Sequence, residues 1–170
     1  MKFLVIGGID LSQNKETEIQ LQYIEKCKEL LAKSSTKRPT FHIQNEGCQM
    51  NSIQTESIAA IMEKMGYEMV DTEDADAVVF NTCTVRENAN QKVYGHLGQL
   101  NRVKKKNPHM LIGLCGCMMQ EPTVVEKIQN SYRFVDLIFG THNIYKFAEL
   151  IVTALESDSM TIDIWKDTDK

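Results

Sequence analysis

The stretch VVFNTCTVRENANQKVYG, residues 78–95, decides the fold. It opens on apolar and β-branched residues, breaks at Asn81-Thr82-Cys83, and continues as a polar segment in which Val93, Leu97, Leu100 and Val103 recur at helical spacing. A short buried strand, a loop and an amphipathic helix follow from that change of period. The helix ends in Lys104-Lys105-Lys106-Asn107-Pro108, where lysines suit the negative helix terminus and proline forbids continuation.

The same order recurs on both sides. TFHIQ at 40–44 leads through NEGCQMNS to a helix with Ile58, Ile61, Met62 and Met65 on one face and Gly66 as its stop. MLIGL at 110–114 leads through CGCMMQEP to a helix with Val124, Val125 and Ile128, and VDLIFG with residues 143–155 supplies a further unit. Such alternation predicts an α/β fold with an open, mainly parallel sheet and covering helices, of the Rossmann or flavodoxin-like kind. Residues 39–156 are expected to form this domain. Residues 1–38 read as an extension with one helix, on which Ile19, Tyr23, Cys27 and Leu30 share the apolar face and Cys27 packs. SSTKRP at 34–39 reads as a short linker, and residues 157–170 as a polar, acidic tail, either a frayed end or the start of a further segment.

Bulk composition narrows the function without naming it. The chain has 170 residues, a formal charge of −4 and a pI of about 5.6, so an RNA contact would rest on a local basic patch. Arg86, Lys92, Arg102 and Lys104 to Lys106 are candidates for one, although lysines at a helix end also serve the dipole. The N-terminus lacks the features of a signal peptide and no apolar run is long enough to span a bilayer, so a soluble, cytoplasmic protein without a membrane partner is expected. Five cysteines are then expected as free thiols or ligands rather than a disulfide framework.

Three of the five occupy equivalent places. Cys48, Cys83 and Cys117 each follow a predicted strand and precede a helix, at separations of 35 and 34 residues. Residues after parallel strand ends gather at one sheet edge, where helix N-termini favour thiolate over thiol. Gly47 and Gly116 precede two of them and let the backbone pass close to a bulky ligand. An iron-sulfur centre, a zinc site, a catalytic cysteine and inert buried thiols are all open on spacing alone. Zinc usually takes four ligands in paired motifs absent here, and three thiolates on a 4Fe-4S cluster leave one iron open to a small ligand. Cys115 reads as a packing residue, Met50, Met118 and Met119 as core filler or a shield beside the site, and Asn51 with Gln54 as a capping pair. Asn81 is a candidate hydrogen-bond partner for backbone or sulfur, the four histidines are scattered, and DTEDAD at 71–76 reads as a solvated turn.

NEGCQMNSIQTE at 45–56, NTCTVRENANQKVYGHLGQL at 81–100 and GCMMQ at 116–120 together resemble the three signature blocks of the N-terminal domain of the methylthiotransferases. The resemblance covers residues 40–150, and Gln49, Met50, Arg86 and Glu87 favour the MiaB-type branch, which acts on isopentenyladenosine beside the tRNA anticodon. It implies an auxiliary 4Fe-4S cluster held by Cys48, Cys83 and Cys117, a small sulfur donor at the open iron, and tRNA as partner of the full-length enzyme. It also implies a radical-SAM domain with a second 4Fe-4S cluster and S-adenosylmethionine, whose CxxxCxxC motif does not occur in these residues, so this chain alone is expected to be inactive. The usual GCMAQ stands here as GCMMQ. The alternatives are the threonylcarbamoyladenosine or ribosomal-protein branch, and a metal or redox module without transferase chemistry.

Overall fold

The computed structural model describes residues 5–6, 9–10, 15–34, 37–46, 50–82, 87–116, 119, 121–140, 146–157 and 159–163. Two short strands, β1 (Val5–Ile6) and β2 (Ile9–Asp10), pair antiparallel. Helix α1 (Lys15–Ser34) follows, then β3 (Thr40–Glu46), α2 (Met50–Lys64), β4 (Glu68–Met69), β5 (Ala77–Thr82), α3 (Glu87–Lys106), β6 (Leu111–Gly116), α4 (Pro122–Ser131), β7 (Leu137–Phe139), α5 (Phe147–Glu156) and β8 (Thr161–Asp163).

Six of these strands form one sheet in the order β4-β3-β5-β6-β7-β8, every pair parallel. The α/β parallel-sheet expectation therefore holds. β5 and β6 are buried at every position, as strands covered on both faces must be. Alternate residues of these strands feed two cores. Phe41, Val79, Cys115, Leu137 and Phe139 face α1, α2 and α5, while Val78, Phe80, Ile112, Leu114 and Ile138 face α3 and α4. The first five strands of the sheet follow the flavodoxin-like doubly wound order, and β8 extends its far edge.

Helix α2 buries Ile58, Ile61, Met62 and Met65 and stops at Gly66, whose φ of 103° is open to glycine at no steric cost. Gly66 N donates to Glu63 O at 3.1 Å and Tyr67 N to Met62 O at 3.1 Å, the paired bonds that close a helix end on a left-handed residue. Three local readings need correction. On α1, Cys27 is buried and Tyr23 and Leu30 pack against the same core as expected, but the stripe also runs through Gln20 and Ile24, and Ile19 is 41% exposed. Gln20 displaces the isoleucine because its amide is satisfied by α5: Nε2 donates to Glu149 Oε2 at 3.1 Å and Oε1 accepts from Glu149 N at 3.3 Å. The supposed frayed tail contributes β8, paired to β7 from Thr161↔Leu137 to Phe139↔Asp163. Within the acidic turn, Asp76 does more than face water: its Oδ2 accepts from Thr40 N at 2.8 Å and pins the start of β3 beside β5.

Lysine 104 is likewise structural. Its Nζ pairs with Asp136 Oδ2 at 2.5 Å and donates to Phe134 O at 2.7 Å, and the same carboxylate oxygen accepts from Ile112 N at 2.9 Å. Asp136→Ala strands the Ile112 amide and removes the counter-ion of the Lys104 ammonium. We expect a loss of about 2 kcal/mol in urea unfolding, whereas Lys105→Ala, on the exposed side of α3, changes it by less than about 0.5 kcal/mol.

Candidate functional site

Two adjacent ladders align the carboxyl ends of three strands. Glu46 of β3 is in register with Thr82 of β5, and Thr82 with Gly116 of β6. These three positions end their strands side by side, about 10 Å across at two strand spacings. β4 lies beyond β3 on one side while β5 begins the run in the other direction, so this edge includes the point where the winding reverses. Open α/β sheets place their ligands there. α2 starts at Met50 and α3 at Glu87, four and five residues after those strand ends.

Cys48, Cys83 and Cys117 fall one or two residues beyond Glu46, Thr82 and Gly116 in the sequence. All three lie outside the described residues, as do Gln49, Arg86 and Met118 and the side chains of Met50, Asn51, Gln54 and Lys92. The described backbone brings together the anchors of the three loops. Among the described residues, no group of three or more His, Cys, Asp or Glu could hold a metal ion.

The anchors are tied to each other by side chains that pattern reading could only guess at. Asn81 is fully buried and donates from Nδ2 to Thr55 Oγ1 of α2 at 3.2 Å, linking β5 to the helix that follows the Cys48 loop. Thr82, also fully buried, donates from Oγ1 to Cys115 O at 2.8 Å, linking β5 to β6 one residue before Gly116. Gly116 has a φ of 105°, and a Cβ there would overlap the Thr82 carbonyl oxygen and stand 2.6 Å from Thr82 N and 2.9 Å from Asn81 Oδ1. The glycine before Cys117 thus lets β6 turn directly over the end of β5. The only sequence signals for this knot were the polar pair Asn81-Thr82 closing an otherwise apolar strand and the Gly-Cys dipeptide.

The remaining two cysteines are buried in the core that faces α1, α2 and α5, as their packing roles require. Burial pushes the Cys27 thiol up to about 12 and raises that of Cys115 as well, so neither offers a thiolate. The neutral thiol is the folded form, and in the unfolded chain a cysteine ionises near 8.5. The contribution of Cys27 to stability is therefore complete below about pH 8.5 and is lost as pH rises toward about 12. Cys27→Ala is expected to flatten the decline of melting temperature over that range, measured by circular dichroism.

Met119 is buried against α3 and α4, as core filler would be. Of the histidines, His42 bonds Val70 O at 2.9 Å and Gln44 Oε1 at 3.3 Å along β3, and His96 packs on the Phe80 ring at 5.7 Å. His109 is exposed after α3, near the amino end of β6, and His142 lies outside the described residues. A cleft of about 910 Å³ opens at the opposite edge of the sheet, between Arg38, Thr40, Asp76 and Asp136. Three of its charged groups are engaged: Arg38 donates to the Gly66 and Tyr67 carbonyls, Asp76 holds Thr40, and Asp136 holds Lys104. No helix among the described residues is long and apolar enough to cross a membrane.

A doubly wound parallel domain with three register-aligned strand ends at its carboxyl edge is the class that fold and site define. The family model described as "Uncharacterized protein family UPF0004" matches residues 40–140, and the chain belongs to that family. A relative from Lachnoclostridium phytofermentans, named tRNA-2-methylthio-N(6)-dimethylallyladenosine synthase, is 63% identical over 131 residues, which are 77% of this chain and 29% of the relative. Relatives of the same name from Clostridioides difficile and Acetivibrio thermocellus are 45% and 44% identical over 92% and 89% of the chain, and 33% and 32% of their own lengths. The chain spans about a third of the curated relatives it matches.

Proposed function

We propose that this chain is the cluster-holding N-terminal part of a cytoplasmic tRNA methylthiotransferase that acts on isopentenyladenosine next to the anticodon. The printed names of its relatives support the substrate and the reaction class. The register of Glu46, Thr82 and Gly116 carries the proposal for the site, because each of these neighbouring ends is followed within two residues by a cysteine. The three loops, residues 47–49, 83–86 and 117–121, contain three thiols, no histidine and a single carboxylate, Glu121, exposed just before α4. That donor set suits an iron-sulfur cluster.

In this proposal Cys48, Cys83 and Cys117 hold a 4Fe-4S cluster. When bound, the cluster supplies an iron with an open position, at which a small sulfur species can be held for transfer. The chain's own part is to set the three thiols at one sheet edge, to favour their thiolate forms with the N-terminal ends of α2 and α3, and to keep its other two thiols out of competition. The S-adenosylmethionine chemistry and its own cluster are assigned to the two thirds of the relatives that this chain does not span.

Anaerobic reconstitution tests this directly. The chain is expected to take up about four irons and four sulfides and to gain a broad absorbance that bleaches with dithionite. Uptake of zinc in preference to iron and sulfide, or no uptake, overturns the proposal.

A further inference from the structure

The charge of this acidic chain is distributed unevenly. Residues 87–133, which run from α3 through α4, carry seven lysines and arginines against three glutamates, a net of +4 in a chain whose total is −4. Lys104 is used in the fold, but Arg102, Lys105, Lys106, Lys127 and Arg133 are exposed, and none forms an ion pair with a described carboxylate. Glu121 and Glu126 are the described acids exposed on α4 and at its start.

These cations share one side of the sheet. α3 and α4 cover the same core, and their outer surfaces meet through Tyr94 and Tyr132, whose rings stack at 5.4 Å and 19°. Lys127 Nζ sits 4.1 Å from the Tyr94 ring centre, and Phe134 meets Tyr132 edge-on at 6.0 Å. The bond from Lys104 to Phe134 O holds the last turn of α3 beside the segment that carries Arg133. Arg102 and Lys105, three residues apart on α3, stand on neighbouring positions of the helix surface.

We propose that the α3–α4 face is a docking surface for the phosphate backbone of a paired RNA stem. The inference rests on the functional reading above and deepens it by naming where the substrate lies. Charge complementarity selects the partner: an exposed basic face on an acidic protein gathers a polyanion locally while the rest of the surface repels it. The aromatic side chains favour a paired stem over a single strand. Tyr94, Tyr132 and Phe134 are half-buried and already packed on one another, so the surface offers cations for phosphates rather than free rings for unstacked bases. Arg102 lies fifteen residues into α3 from Glu87, about 22 Å along the helix from the edge where the three loops begin. A stem on this face can therefore run away from that edge while its loop remains near it.

The test compares three forms of the chain binding a fluorescein-labelled RNA hairpin by anisotropy between about 50 and 200 mM salt. The face variant is R102Q/K105Q/R133Q. The control, K26Q/K28Q/K33Q, changes charge equally on α1, on the other side of the sheet. The wild-type chain and the control are expected to bind alike, and the face variant about tenfold more weakly with a salt slope flatter by about two. Equal weakening in both variants, no binding by the wild type, or equal competition by polyglutamate overturns the proposal. Iron and sulfide content of the same samples reports separately on the cluster, so failure of the docking surface and failure of the cluster site are distinguishable.

Discussion

Replacing any one of Cys48, Cys83 and Cys117 with serine is expected to reduce iron and sulfide uptake on anaerobic reconstitution from about four of each to less than about one, and to remove the cluster absorbance. A serine hydroxyl is a poor ligand for this centre, and a cluster left with two protein thiolates has no third thiol within the three loops. Cys27→Ala and Cys115→Ala are expected to retain uptake in full, since both thiols are buried in the core and held neutral. They will cost stability instead, by the modest amount that small buried deletions do. Retention of a full cluster in any of the first three variants, or its loss in either of the last two with the fold intact by circular dichroism, would exclude the assignment. Secondary structure matters here as a control, because the strands are joined by their own backbone ladders and a ligand variant should leave them unchanged.

The second large effect is expected from a residue with no functional group. Gly116→Ala places a Cβ against the carbonyl oxygen and amide of Thr82 and within 2.9 Å of Asn81 Oδ1, on backbone with a φ of 105° that side chains disfavour. Neither atom of Thr82 is free to withdraw, because its strand is paired on both sides and its hydroxyl holds the Cys115 carbonyl. A penalty of about 3 kcal/mol or more follows, which for a chain of this size lowers the melting temperature by roughly 10 °C. Gly113→Ala, in the same strand, is the contrast. A Cβ there finds its nearest neighbours at 3.7 to 3.9 Å, in ordinary contact, and the expected change in melting temperature is within about 3 °C. If the two variants melt together, the close approach of β6 to β5 is wrong.

The sheet was legible because its central strands are short apolar runs that end at polar loops and are followed by helices of clear period. β5 shows this best: Ala77 to Phe80 are apolar and fully buried, and the period changes within ten residues. β4 and β8 were not legible, since two or three residues of mixed polarity carry no period and are strands only because a neighbour offers them hydrogen bonds. One position of the α1 stripe was misjudged for a related reason, while Tyr23, Cys27 and Leu30 do face the core. Ile19 is the more apolar residue, yet Gln20 is buried because a glutamate 129 residues away satisfies its amide, and such a partner is invisible to local pattern. At the candidate site, the spacing of cysteines after strands was legible and the strand order was not. Neighbouring positions for β3, β5 and β6 come from the sheet, as do the Asn81–Thr55 and Thr82–Cys115 ties that brace the three loop anchors.

Cys27 and Cys115 share one hydrophobic core, beneath α1, α2 and α5. Sealed there, both are withheld from reagents that act from solvent, whether iron, oxidant or alkylating agent. A partner that builds the proposed cluster would thus find these two sulfurs out of reach. Burial removes two of the five thiols from solution chemistry before any partner has to tell them apart.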